Sequence, residues 1–74
     1  MPELPVVSGR QARGAFERLG WTFRRQSGSH VILTREGSLV SLSIPDHREL
    51  APGTLRKLIR LSSVGVEEFC AALD

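Results

Sequence analysis

The chain predicts an α+β domain with the element order αβββα and a short additional C-terminal helix, on three observations. Apolar residues recur at helical spacing up to Leu19 and again after Pro52, whereas the stretch between them alternates with a period of two. Gly20, Gly28 and Gly37 punctuate the alternating stretch where strands should begin or end. The sequence has only 74 residues, and a chain of this size buries roughly 60% of its unfolded surface, so a single domain over residues 1–74 is expected.

The first helix carries its own start and stop signals. Ser8 and Gln11 stand at capping-box spacing, Val7 and Ala12 can form a hydrophobic staple, and Ala12, Ala15, Phe16 and Leu19 form the inner stripe before Gly20 ends it. Trp21 to Gln26 alternates, with Trp21 and Phe23 on one side and Thr22 and Arg24 on the other, and reads as a half-buried strand. His30–Arg35 and Leu39–Ile44 read as two more strands joined by the turn Glu36-Gly37-Ser38, which completes an antiparallel meander. Pro45 ends the third strand, and Asp46–Ala51 is a polar loop containing His47. Pro52 suits the first turn of a helix whose inner face is Leu55, Leu58, Ile59 and Ser62. A last helix starts near Val66, with Val66, Phe69, Cys70 and Leu73 on its apolar side.

Composition removes several function classes. No apolar run approaches the ~20 residues that span a bilayer, and Met1-Pro2-Glu3-Leu4-Pro5 has neither a basic nor an apolar leader region, so the expected compartment is the cytosol, with no membrane partner. The single cysteine, Cys70, cannot form an internal disulfide and is expected to be a buried structural thiol. Two histidines, one cysteine and scattered carboxylates show no metal-ligand spacing, so neither a metal nor another cofactor is expected. The net charge of +2 conceals an asymmetry: residues 10–60 hold ten basic and four acidic side chains, a local balance of +6, while residues 61–74 carry three acids and no base. Nine of the ten bases are arginine, whose planar fork suits phosphate, although solvated surface residues give the same composition.

The positive region contains the candidate for chemistry. Arg24-Arg25-Gln26-Ser27-Gly28-Ser29-His30 is a basic entry into a glycine-bearing turn, and it delivers His30 to the start of Val31-Ile32-Leu33. An imidazole titrates near neutrality and can both accept and donate a proton. Strand parity puts Trp21, Phe23, Val31, Leu33, Val40, Leu42 and Ile44 against the helices. The opposite, open face then carries Thr22, Arg24, His30, Ile32, Ser41 and Ser43, with His30 beside Arg24, provided no bulge after Gly28 reverses the histidine.

The chain resembles the HicA-type toxins, small mRNA interferases of type II toxin–antitoxin modules. The resemblance runs through Leu4-Pro5-Val6-Val7-Ser8-Gly9, Leu19-Gly20-Trp21, Arg25-Gln26-Ser27-Gly28-Ser29-His30, Ile44-Pro45-Asp46-His47, Pro52-Gly53-Thr54-Leu55-Arg56 and Val66-Glu67-Glu68-Phe69. The Gly-Ser-His segment followed by Pro-x-His and Gly-Thr-Leu-Arg carries its specificity. Where the family often ends its second helix with glycine and caps the next with serine or threonine, this chain has Ser63 and Gly65. The resemblance implies a double-stranded-RNA-binding-domain-like fold, endoribonuclease action on mRNA that inhibits translation, and neutralisation by a HicB-type antitoxin protein. It also implies that His30 is the catalytic histidine.

On that reading Arg24, Arg25, Ser29, His47, Arg56, Lys57 and Arg60 are the candidate RNA contacts. Arg56 and Arg60, four apart, share a helix face and can hold neighbouring phosphates. His47 reads either as a second proton-transfer group or RNA contact, or as a solvated loop residue. Trp21 can stack on a base but alternates with Phe23 as a core residue does. Two readings of another class use the same residues: a non-catalytic double-stranded-RNA-binding module, which binds in a salt-sensitive way without cleaving, and an inactive toxin remnant retained for partner binding.

Overall fold

Ser8 fixes where the first helix begins. In the computed structural model, which describes residues 3–74, its hydroxyl accepts the Gln11 N–H at 3.1 Å while the Gln11 side-chain oxygen accepts the Ser8 N–H at 2.9 Å, closing the expected capping box. Met1 and Pro2, the start of the stretch read as lacking a leader, lie outside the described residues. Helix α1 (Gly9–Arg18) buries Ala12, Ala15 and Phe16 and ends at Gly20, whose φ of 102° a side chain would resist. The Trp21 N–H then donates to the Phe16 carbonyl at 3.0 Å, which turns the chain sharply into the sheet.

Three antiparallel strands follow in the spatial order β1-β2-β3: β1 (Thr22–Ser27), β2 (His30–Thr34) and β3 (Leu42–Pro45). The chain is α+β, helix then meander then helices, as expected. Gly28 and Ser29 form the two-residue turn between β1 and β2, and Gly28 has a φ of 59°, the conformation glycine supplies at the first position of a type II′ turn. Helix α2 (Pro52–Ser62) opens on its proline, and α3 (Val66–Ala71) closes the fold.

One face of the sheet meets the helices. Val31, Leu33, Leu42 and Ile44 are buried there against Phe16, Leu55, Leu58, Ile59 and Phe69. Phe16 and Phe69 are both inaccessible to solvent, with ring centroids 5.0 Å apart; each such side chain contributes roughly 1.5–3 kcal/mol by burial. Ser62 is the one buried polar residue among those described, and its hydroxyl is satisfied by the Ile59 carbonyl at 2.7 Å. Arg18 ties α1 to the C-terminal end, donating to the Ala72 carbonyl at 2.9 Å and the Asp74 carboxylate at 2.8 Å. Cys70 is half-buried rather than fully enclosed, because α3 presents it at the margin of the face that buries Phe69.

The structure corrects the expected strands in three places. The third strand begins at Leu42, three residues later than Leu39, and Leu39 is fully exposed while Val40 remains 37% accessible. Ser38 explains this: its hydroxyl and the Val40 backbone exchange hydrogen bonds at 3.3 Å, so the chain is held in a local loop before pairing resumes. Phe23 is 38% accessible because it sits on the outer strand of the sheet, where the Arg13 guanidinium covers its ring at 4.3 Å in place of core residues. Finally, β1 is bulged: Phe23 pairs with Leu33 but Arg25 pairs with Ile32, and Arg24 has no cross-strand partner.

Candidate functional site

The bulge decides which arginine accompanies the histidine. Parity counted from Trp21 puts Arg24 on the open face; the extra residue transfers that place to Arg25, which lies in one row with Ile32 and Ser43. The next row on the same face is Ser27, His30 and Pro45, so Arg25 is the diagonal cross-strand neighbour of His30. The β1–β2 turn itself carries no bulge, and His30 keeps the open-face position expected for it.

Backbone contacts pin this end of the sheet. The Asp46 N–H donates to the Ser29 carbonyl at 2.7 Å, extending the ladder one step past Pro45 and fixing the turn that precedes His30. The Gly9 N–H donates to the His47 carbonyl at 2.9 Å, and the Leu50 N–H to the Val7 carbonyl at 2.8 Å. The histidine therefore stands on a rigid strand end, braced by the β3 exit and the start of α1.

His30 opens into a concavity of about 440 Å³ between the open sheet face and α2. Ser41, Ser43 and Pro45 line it from the β3 side, and Thr54, Lys57 and Leu61 line it from α2. These α2 positions form a stripe at spacings of three and four, beside the buried stripe of Leu55, Leu58, Ile59 and Ser62. The concavity thus brings together an imidazole, an ammonium and three hydroxyls over a partly apolar wall. Sequence reasoning does not single out Thr54, Ser41 and Ser43 as site residues, although the spacing of Thr54, Lys57 and Leu61 carries the signal.

The remaining candidates are distributed differently. Arg56 and Arg60 are exposed on α2 but outside the concavity; at about 100° per residue they point about 100° and 60° away from Lys57. Arg24 and Arg25 are exposed on the edge strand β1, where charge also discourages edge-to-edge pairing. Ser29 holds the β3 exit through its carbonyl, and the exposed His47 does the same for Gly9, without lining the concavity. Trp21 is 2% accessible and therefore a core residue, covered by the Arg35 guanidinium at 4.7 Å.

The ten basic side chains divide into two groups. Arg13 pairs with Glu17 at 3.4 Å and covers Phe23, Arg18 holds Asp74, and Arg35 stacks on Trp21 while donating to the Ser62 carbonyl at 3.2 Å. The other seven make no ion pair among the described residues. They include every basic candidate named from sequence. No group of three or more histidine, cysteine or carboxylate side chains assembles into a possible metal site among the described residues.

Comparison with known proteins bears on this site directly. A family model described as the HicA toxin of bacterial toxin–antitoxin matches residues 9–64, from the first residue of α1 to the segment after α2, and so includes His30 and Lys57. No curated protein matches the chain. Among the described residues, no helix is long and apolar enough to cross a membrane.

Proposed function

Because the chain belongs to the HicA toxin family of bacterial toxin–antitoxin systems, we propose that residues 1–74 form a single cytoplasmic toxin domain that cleaves messenger RNA as a metal-independent endoribonuclease. His30 is its proton-transfer group, and a HicB-type antitoxin is its partner. The observation that carries this reading is the shared concavity of His30 and Lys57, walled by the hydroxyls of Ser43 and Thr54.

The chemistry needs a base, an acid and a holder for the phosphate. His30 in its neutral form takes the proton of a ribose 2′-hydroxyl; the oxygen attacks the adjacent phosphorus, and the bond to the 5′-oxygen breaks. That oxygen takes a proton from water while the His30 imidazolium returns its own proton to the solvent, so the products are a 2′,3′-cyclic phosphate and a 5′-hydroxyl, with no net change in protons or redox state. Positioned proton transfer of this kind contributes ~10²–10⁴-fold in rate. Lys57 across the concavity stabilises the charge that develops on the non-bridging oxygens, while Arg25, diagonal to His30, holds a flanking phosphate. Arg24, Arg56 and Arg60 attract and orient the backbone outside the reacting centre, and Ser29 and His47 contribute peripheral RNA contacts at the braced strand end.

The test is expression of the wild-type chain and of His30→Ala in a bacterial host at matched soluble levels. Growth arrest with fragmented mRNA from the wild type alone supports the assignment. Equal toxicity from both proteins overturns it.

A further inference from the structure

A second cavity lies one register row from His30, on the opposite side of the sheet end. The row Gln26, Val31 and Ile44 forms its floor, the first turn and a half of α1 forms its wall through Arg10 and Arg13, and Asp46 closes one end. Its volume is about 260 Å³. Pro45 lines this cavity and the His30 concavity alike, so the two are adjacent around the end of β3.

The construction of this cavity is unusual for the helix-facing side of a sheet. The bulge at Arg24 rotates Gln26 into the helix-facing register beside the buried Val31 and Ile44, where an apolar residue would extend the core. Gly9 brings the α1 backbone onto Pro45, which sets the first arginines of the helix over the row. Gln26 spends its amide nitrogen on the Gly28 carbonyl at 3.1 Å, leaving its carbonyl oxygen as an acceptor. Arg10 makes no ion pair among the described residues.

We propose that this cavity binds a purine base of the RNA, from a nucleotide neighbouring the scissile one, and so gives the enzyme base preference. The inference rests on the ribonuclease reading above and deepens it by naming a specificity site. Pro45, partly exposed at the rim, offers its ring to the flat face of a base, while Val31 and Ile44 are buried beneath it. Arg10 supplies donors for N7, an acceptor that purines have and pyrimidines lack. The Asp46 carboxylate accepts from the adenine amino group, which shares an edge with N7; cytosine also carries an amino group, so the choice of purine over pyrimidine rests on N7. An RNA strand leaving the His30 concavity reaches the cavity by passing over Pro45 and Asp46.

The experiment is a nuclear magnetic resonance titration of the full chain, carrying His30→Ala to prevent turnover, with GMP, AMP, CMP and UMP in turn. The expected result is that both purine nucleotides shift the backbone amides of Arg10, Gln26 and Asp46, with affinity about tenfold above the pyrimidines, within the range of a bidentate base contact. Arg10→Ala should abolish that difference without lowering the melting temperature, since the side chain is exposed; Gln26→Ala is the second variant, in case the first disturbs α1. In parallel, wild type and Arg10→Ala are compared on an RNA of mixed sequence, where the variant should cut with reduced purine bias. Equal shifts from all four nucleotides, or shifts confined to the His30 concavity, overturn the purine site. If the wild-type chain cleaves no RNA while purines still bind as described, the ribonuclease reading fails and the cavity stands. If RNA is cut and purines do not bind preferentially, only the cavity assignment falls.

Discussion

Gly9 packs its α-carbon against the carbonyl of Pro45, so closely that a Cβ at position 9 would collide with that oxygen. Pro45 is also the cross-strand partner of His30. The start of α1, the end of β3 and the histidine are therefore mechanically joined, and the joint is backbone on both sides.

Gly9→Ala should destabilise the fold by about 1–3 kcal/mol, the range for overpacking at a rigid contact, even though alanine favours a helix over glycine by roughly 1 kcal/mol. Gly53→Ala is the matched control: it lies in the first turn of α2 with no atom within 4 Å of an added Cβ, and should be neutral or stabilising by up to about 1 kcal/mol. Urea unfolding of both variants checks the pair. Similar midpoints for Gly9→Ala and wild type would show that Pro45 can yield.

The three bases of α2 should separate by position. Lys57→Ala should lower single-turnover cleavage by about 10²-fold, the order for removing a group that stabilises transition-state charge, with partial recovery in Lys57→Arg. Arg56→Glu and Arg60→Glu should instead weaken RNA binding about equally across sequences and make its salt dependence shallower, by about 0.7 in slope for each phosphate of a single strand that is no longer neutralised. Rates and salt titrations on one short RNA distinguish the two behaviours. Equal loss of cleavage at saturating RNA from all three would remove Lys57 from the reacting centre.

On the proposed mechanism, in which His30 transfers the proton within the concavity, cleavage should proceed in EDTA and leave a 2′,3′-cyclic phosphate. Mapping the termini of the fragments checks this. A 3′-hydroxyl, or a requirement for Mg²⁺ beyond its effect on RNA folding, would contradict the mechanism.

Much of this architecture is legible in the chain because its signals are local. The Ser8–Gln11 capping box, the glycine stops at Gly20 and Gly37, and the Leu55, Leu58, Ile59 and Ser62 stripe each depend on residues within a turn or two, and each is realised. The His30 face is legible because only the short Gly28-Ser29 turn separates it from β1. What the chain conceals depends on pairing across strands. The bulge at Arg24 has no marker in its own residues, and one unpaired position moves Arg25 onto the open face and Gln26 onto the helix-facing side of the edge strand. Leu39 and Val40 look like strand residues, yet the Ser38 hydroxyl captures the Val40 backbone first. The α2 wall of the concavity is hidden for another reason: Thr54 and Leu61 are ordinary helix-flank residues until the fold sets them opposite His30.

Control of the toxin yields the last prediction. The HicA family belongs to toxin–antitoxin systems, and seven of the ten basic side chains make neither an ion pair nor a contact with an aromatic ring among the described residues, which leaves them available to an acidic partner. The HicB-type antitoxin should lie over the open sheet face, cover His30 and set carboxylates against Arg25 and Lys57 in place of RNA phosphate. Inhibition is then steric and electrostatic together, and it should weaken as salt rises. His30→Ala should still bind the antitoxin, because one imidazole is a small part of an interface of ordinary size, about 800 Å² on each partner. Lys57→Glu should bind it more weakly, since reversal places like charges together. The check is a titration of RNA into the preformed complex, paired with hydrogen exchange of the β2 and α2 amides. Simultaneous binding of RNA and antitoxin, with the His30 concavity unprotected, would replace occlusion by an allosteric mechanism acting from another face.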